Sequence, residues 1–243
     1  MTSPEVAANV NGEAVFTWIR QFGSDHLVQA RRRSRTGALG LLHQNLGKVR
    51  PGNLPHTALA ADGDAVITWT EISTSGTRVV MRTLSGADAV GPRQPISQGS
   101  LSAANEQIAM NAAGDAVFVF QQAGQDFRGR AKARFRSAAG VFTPTRTVSG
   151  PDARAVAGGI DEEGRSLFAW PRFVGAATRL EARTRSALGD FSPVRVLSSL
   201  SASSAQPSRR RDEPSPGSSE AKSRIAGPGR RFAPSGLVKV SKP

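Results

Sequence analysis

Asp62-Gly63-Asp64-Ala65-Val66-Ile67-Thr68-Trp69 carries the reading of this chain. A strand buried on one face alternates apolar and polar residues, but this one is apolar at nearly every position after the Asp-Gly turn. It therefore needs cover on both faces. The pattern recurs. Gly12, Gly63, Gly114 and Gly164 stand 51, 51 and 50 residues apart, and an aromatic follows six residues after each: Trp18, Trp69, Phe120 and Trp170. The intervening strings are Ala14 to Trp18, Ala65 to Trp69, Ala116 to Phe120 and Ser166 to Trp170. A second box, opening Ala30-Arg31, Met81-Arg82, Ala133-Arg134 and Ala182-Arg183 and closing on Ser34, Ser85, Ser137 and Ser186, keeps the same period. Two independent boxes holding one period over four copies define a tandem repeat.

Each unit reads as strands. Asn9, Asn111 and Asp161 lie three residues before the glycine and suit the first position of a type I turn, with the glycine taking the positive φ. Ala60 occupies that position in the second unit, where Asp62-Gly63 supplies the turn. The segments Val6–Ala8, Thr57–Leu59 and Ile108–Met110 predict a first strand, the apolar string a second and the Arg box a third. Pro95-Ile96-Ser97, Thr147-Val148-Ser149 and Val196-Leu197-Ser198 predict a short fourth. No stretch has helical periodicity. An all-β array of four-stranded repeats follows, at residues 4–52, 53–101, 102–151 and 152–200. A neighbouring copy of the same sheet supplies the missing cover, as in a β-propeller, partial or four-bladed, with a sandwich or a linear β-array as alternatives. The Trp residues then belong between sheets.

The Asn/Asp-x-x-Gly-x-Ala-Val-x-x-Trp box followed by the Arg box resembles the roughly 50-residue repeats of secreted actinobacterial β-propeller-like proteins, and more distantly TolB-like propeller repeats. The resemblance covers residues 4–200 and implies a scaffold exported to an extracellular or periplasmic space, with no catalytic residues carried over. The sialidase Asp-box, whose aromatic follows its glycine closely, does not match the six-residue gap here.

Residues 201–243 change character: Arg209-Arg210-Arg211, Pro214-Ser215-Pro216-Gly217 and Pro228-Gly229-Arg230-Arg231 predict a low-complexity basic tail or a degraded fifth repeat. Of the formal net charge of +13, this tail holds 9 Lys+Arg against 3 Asp+Glu. The chain opens without a basic region leading into an apolar stretch, and no window of 18 apolar residues spans a membrane. It thus reads as part of a longer array, able to self-associate through exposed end sheets.

Candidate chemistry is sparse. The chain has no cysteine, and His26, His43 and His56 lack metal-ligand spacing, which predicts surface or loop histidines and no metal. No Gly-x-Ser-x-Gly elbow or phosphate-binding glycine loop occurs, so neither a catalytic residue nor a cofactor is expected. Asp62, Asp64 and Asp161-Glu162-Glu163 flank hairpin glycines and read as turn residues.

The Arg pairs are different. Arg31 and Arg33, Arg134 and Arg136, and Arg183 and Arg185 are each two residues apart and share a strand face. Guanidinium rows of this kind suit carboxylate or sulfate, so an acidic glycan is a candidate ligand, with a protein partner as the alternative. The same residues also suit outer strands, with stems on apolar surface and heads in water. The function expected is a non-enzymatic binding or structural scaffold. The alternatives are part of a glycan-cleaving propeller whose catalytic residues lie outside this chain, and an electrostatic binder of nucleic acid or acidic glycan.

Overall fold

The structure is a computed structural model that describes residues 2–198 and 201–202. Among the described residues there is no helix, and hence none long and apolar enough to cross a membrane. The strands form four antiparallel sheets. The first orders β1 (Thr2–Ala8), β2 (Ala14–Phe22), β3 (Asp25–Arg33) and β4 (Leu39–Lys48). The second orders β5 (His56–Leu59), β6 (Ala65–Ser73), β7 (Gly76–Leu84) and β8 (Gln94–Pro95). The third holds β9 (Ala103–Met110), β10 (Ala116–Ala123), β11 (Gly129–Arg136) and β12 (Arg146–Thr147). The fourth holds β13 (Ala157–Ile160), β14 (Ser166–Val174), β15 (Ala177–Arg185) and β16 (Arg195–Val196). A further pair, β17 (Ser201–Ala202), joins β15.

Turn chemistry sets each sheet's register. The N–H groups of Gly12, Gly63, Gly114 and Gly164 donate to the carbonyls of residues 9, 60, 111 and 161 at 3.0–3.2 Å, and all four glycines have φ between 78° and 95°. Asn9, Asn111 and Asp161 add a side-chain oxygen that accepts an amide N–H two or four residues on. A second turn repeats with the same logic. Ser34, Ser85, Ser137 and Ser186 each accept, through Oγ, the amide N–H four residues later at 3.1 Å. These are the last residues of the Arg boxes, so each box ends its strand and folds the chain back.

First strands stand side by side: β1 packs on β5, β5 on β9 and β9 on β13, with no comparable contact from β13 back to β1. One apolar cluster fills each space between successive sheets. Val15, Ile19 and Val28 meet Ile67, Trp69 and Val80 across the first space. Val66, Val79 and Met81 meet Phe118 and Phe120 across the second. Val117, Val119 and Ala133 meet Phe168 and Trp170 across the third.

The burial of the second strands records this order. β6 is buried at six consecutive positions and β10 at five, as two-sided cover requires. By contrast, β2 and β14 alternate: β2 hides Val15, Thr17 and Ile19, and β14 hides Ser166, Phe168 and Trp170. The outer strands of the row lack a neighbour on one side.

Two expectations need correction. Trp18 is only half-buried, unlike Trp69 and Trp170, because the face it lies on has no preceding sheet. The fourth strands of the later sheets are two-residue pairs ending at Pro95, Thr147 and Val196, earlier than the sequence predicts. In the first sheet that strand is a ten-residue ribbon. The predicted tail or fifth repeat lies outside the described residues, apart from β17.

Candidate functional site

Arg134 and Arg183 face the sheet before their own, Arg31 lies on the equivalent face of the first sheet, and the two members of each pair do different work. Arg31, Arg134 and Arg183 pair across the ladder with Phe16, Phe118 and Phe168. Arg134 donates through Nε to the Thr143 carbonyl at 3.0 Å and through Nη1 to the Pro95 carbonyl of the preceding sheet at 2.8 Å. Its guanidinium lies 4.5 Å above the Phe142 ring. Arg183 repeats the arrangement with Ser192 at 3.0 Å, Val148 at 3.5 Å and the Phe191 ring at 4.6 Å. Arg82, the corresponding residue of the second unit, bridges Leu46 and Gly91, both at 2.8 Å. These first arginines therefore clamp one sheet to the last strand of the sheet before it. Burial pushes the Arg134 and Arg183 pKa values down, yet arginine stays cationic at any physiological pH. Arg31 makes only the local half of the clamp, with Nε donating to Gly40 at 3.0 Å.

The second arginines are freer. Arg33, Arg136 and Arg185 lie along the glycine turns that follow them, where a side chain at Gly37, Gly140 or Gly189 would meet the guanidinium at 3.3–3.4 Å. Arg33 Nη1 donates to Gly12 at 3.4 Å. Among the described residues, the Arg136 and Arg185 side chains have no hydrogen-bond acceptor. Arg185 sits 3.9 Å above the Phe135 ring. Burial lowers its pKa, and the nearby Arg146 charge lowers it further.

Arg136 and Arg185 line one cleft between the third and fourth sheets, of about 440 Å³, together with Phe142, Ile160 and Glu163. Glu163 is already engaged by Arg165 at 2.8 Å. At the matching place between the second and third sheets the space shrinks to about 20 Å³. Beyond the fourth sheet it opens into a groove of about 810 Å³ that includes Arg185, Leu167 and Phe191. The middle cleft thus brings Arg136 and a partly desolvated Arg185 beside an aromatic edge. Desolvation strengthens the attraction of Arg185 for an anion, and the planar fork of both arginines matches carboxylate or sulfate oxygens.

Some participants carried a sequence signal that the repeat reading passed over. Phe142 and Phe191, on which the clamp arginines stack, sit in Gly140-Val141-Phe142-Thr143-Pro144 and Gly189-Asp190-Phe191-Ser192-Pro193, a third box. The histidines also differ from expectation. All three lie on strands, and two have carboxylate partners: His43 Nε2 with Asp88 and His56 Nδ1 with Glu5, each at 3.0 Å. The hydrogen bond to Glu5 raises the His56 pKa despite its partial burial. Glu106 lies on the neighbouring first strand, 2% exposed, and burial raises its pKa. Its Oε2 accepts from the Thr70 hydroxyl, while Oε1 has no partner among the described residues. Among the described residues no three His, Asp or Glu side chains gather as a metal site.

Neither a family model nor a curated protein sequence matches the chain. Solved structures do. The chain resembles "Hadza microbial sialidase Hz136" at 12% identity and TM-score 0.54, over 78% of this chain and 45% of that one. It also resembles the BP39L lectin from Burkholderia pseudomallei at 12% identity and TM-score 0.54, over 79% of this chain and 55% of that one. This chain therefore spans about half the length of the solved structures it resembles. Likeness at this identity speaks for the fold alone, and that fold is propeller-like.

Proposed function

We propose that this chain is a non-enzymatic, propeller-like binding scaffold whose ligand is an acidic glycan, held in the cleft between the third and fourth sheets. One observation carries the reading: Arg136 and Arg185 both line that cleft, and neither side chain has a hydrogen-bond acceptor among the described residues. The clamp arginines Arg134 and Arg183, by contrast, spend their donors on carbonyls. Carboxylate or sulfate groups spaced along a sugar chain suit two guanidiniums, and Phe142 offers an apolar edge to a sugar ring. The lectin named above shares the fold, which fits a glycan-binding role. The same proposal includes the finer architecture: four blades of a partial propeller, exported, as the repeat resemblance implies.

Retention on immobilised heparin tests the reading. The double variant Arg136→Ala/Arg185→Ala is expected to elute at clearly lower salt than a double variant at two arginines away from the cleft, Arg20→Ala/Arg50→Ala. Equal retention of the two double variants contradicts the assignment. A clamp variant, Arg134→Ala, is expected instead to lose stability by about 1–3 kcal/mol, because it leaves carbonyls between sheets without their donor.

A further inference from the structure

The two ends of the row are the two halves of one junction. The outer face of the fourth sheet carries the residues that elsewhere receive a following sheet. Leu167 is 55% exposed where Val66 and Val117, its repeat equivalents, are 2% and 0%. Leu197 is 59% exposed where Ile96 and Val148 are 0%. Leu180 lies on the same face, paired with Pro171. The outer face of the first sheet carries the residues that elsewhere seat on a preceding sheet: Phe16 and Trp18, where Ile67 and Trp69 are fully buried. Val6, paired with Phe16, is exposed beside them.

Polar groups match as well as apolar ones. At each internal junction an arginine of the later sheet donates to a carbonyl in, or directly after, the fourth strand of the earlier one: Arg82 to Leu46, Arg134 to Pro95 and Arg183 to Val148. Arg31 is the same residue on the first sheet, and its Nη groups have no acceptor among the described residues. At the other end, the Leu197 carbonyl stands where those of Ile96 and Val148 accept an arginine. The donor is at one end of the molecule and its acceptor at the other.

From this we infer that the occupant of each end face is a second copy of this chain, joined head to tail, the first sheet of each copy seated on the fourth sheet of the other. A single copy supplies what both bare faces lack. A head-to-tail contact leaves no face open only if its rotation closes, and two copies related by a twofold axis close with two identical junctions.

Mass in solution, measured by light scattering on the full chain over a concentration series, tests this. The wild-type chain is expected to reach twice its monomer mass and stop. Val6→Asp and Leu167→Asp each place a charge on one exposed face, so each should fold, as circular dichroism would verify, and remain monomeric. Mixed together, these two variants are expected to regain the doubled mass, because one intact junction survives in the mixed pair. A wild-type chain that stays monomeric, whatever covers its faces, overturns the inference. So does growth past two copies, or a mixture that fails to associate.

Discussion

A tryptophan repeated at one position does not have one environment. Trp69 is fully enclosed, and its indole N–H donates to the Lys48 carbonyl of the preceding sheet at 3.1 Å. Gly47 of that sheet approaches so closely that a Cβ there would lie 2.5 Å from the Trp69 ring. Trp18 instead donates to Gln29 of its own sheet at 2.8 Å and stays half-exposed. Trp69→Ala is therefore expected to cost about 3–5 kcal/mol in denaturant unfolding, and Trp18→Ala clearly less. Equal costs would contradict the order of the sheets. Sequence alone gave both residues the same role, because a repeat position reports the unit and not its place in the row. The arginine pairs show a similar limit. Spacing showed that both members share a face, but which member is spent on carbonyls depends on the neighbouring sheet.

At the scale of strands, the apolar second strand was legible because two-sided burial removes alternation. The first turn was legible too, since its glycine and its Asn or Asp recur at fixed offsets. The later fourth strands were foreseen as short but begin one residue earlier than predicted, because proline and short pairings leave almost no pattern. The histidines were read as surface or loop residues, since the carboxylate partners of His43 and His56, Asp88 and Glu5, lie 45 or more residues away. The first strands also carry a pH dependence. His56, raised by Glu5, adds stability that is complete below its ordinary range and lost as pH climbs through its folded value. Glu106, raised by burial, adds no penalty when protonated but an increasing one as pH climbs past the ordinary glutamate range. Both effects lower stability with rising pH. Glu106→Gln keeps an acceptor for Thr70 and removes the charge, so its melting temperature should exceed that of the wild type at about pH 8 and approach it at about pH 4. A difference that does not vary with pH would reject the assignment.

Across the whole molecule, one rule organises the fold: a sheet that is apolar on both sides needs a neighbour on each. It accounts for three filled clusters, for two inner strands buried at six and five consecutive positions and for two bare ends. The most direct measurement places the same charge at three equivalent positions and follows urea unfolding at a concentration where the chain is monomeric. Val66→Asp and Val117→Asp should abolish cooperative unfolding, because each buries an unpaired carboxylate between sheets. Leu167→Asp should unfold with a midpoint close to the wild type. Three variants equally damaged, or equally tolerated, would contradict the face-to-face order of the sheets.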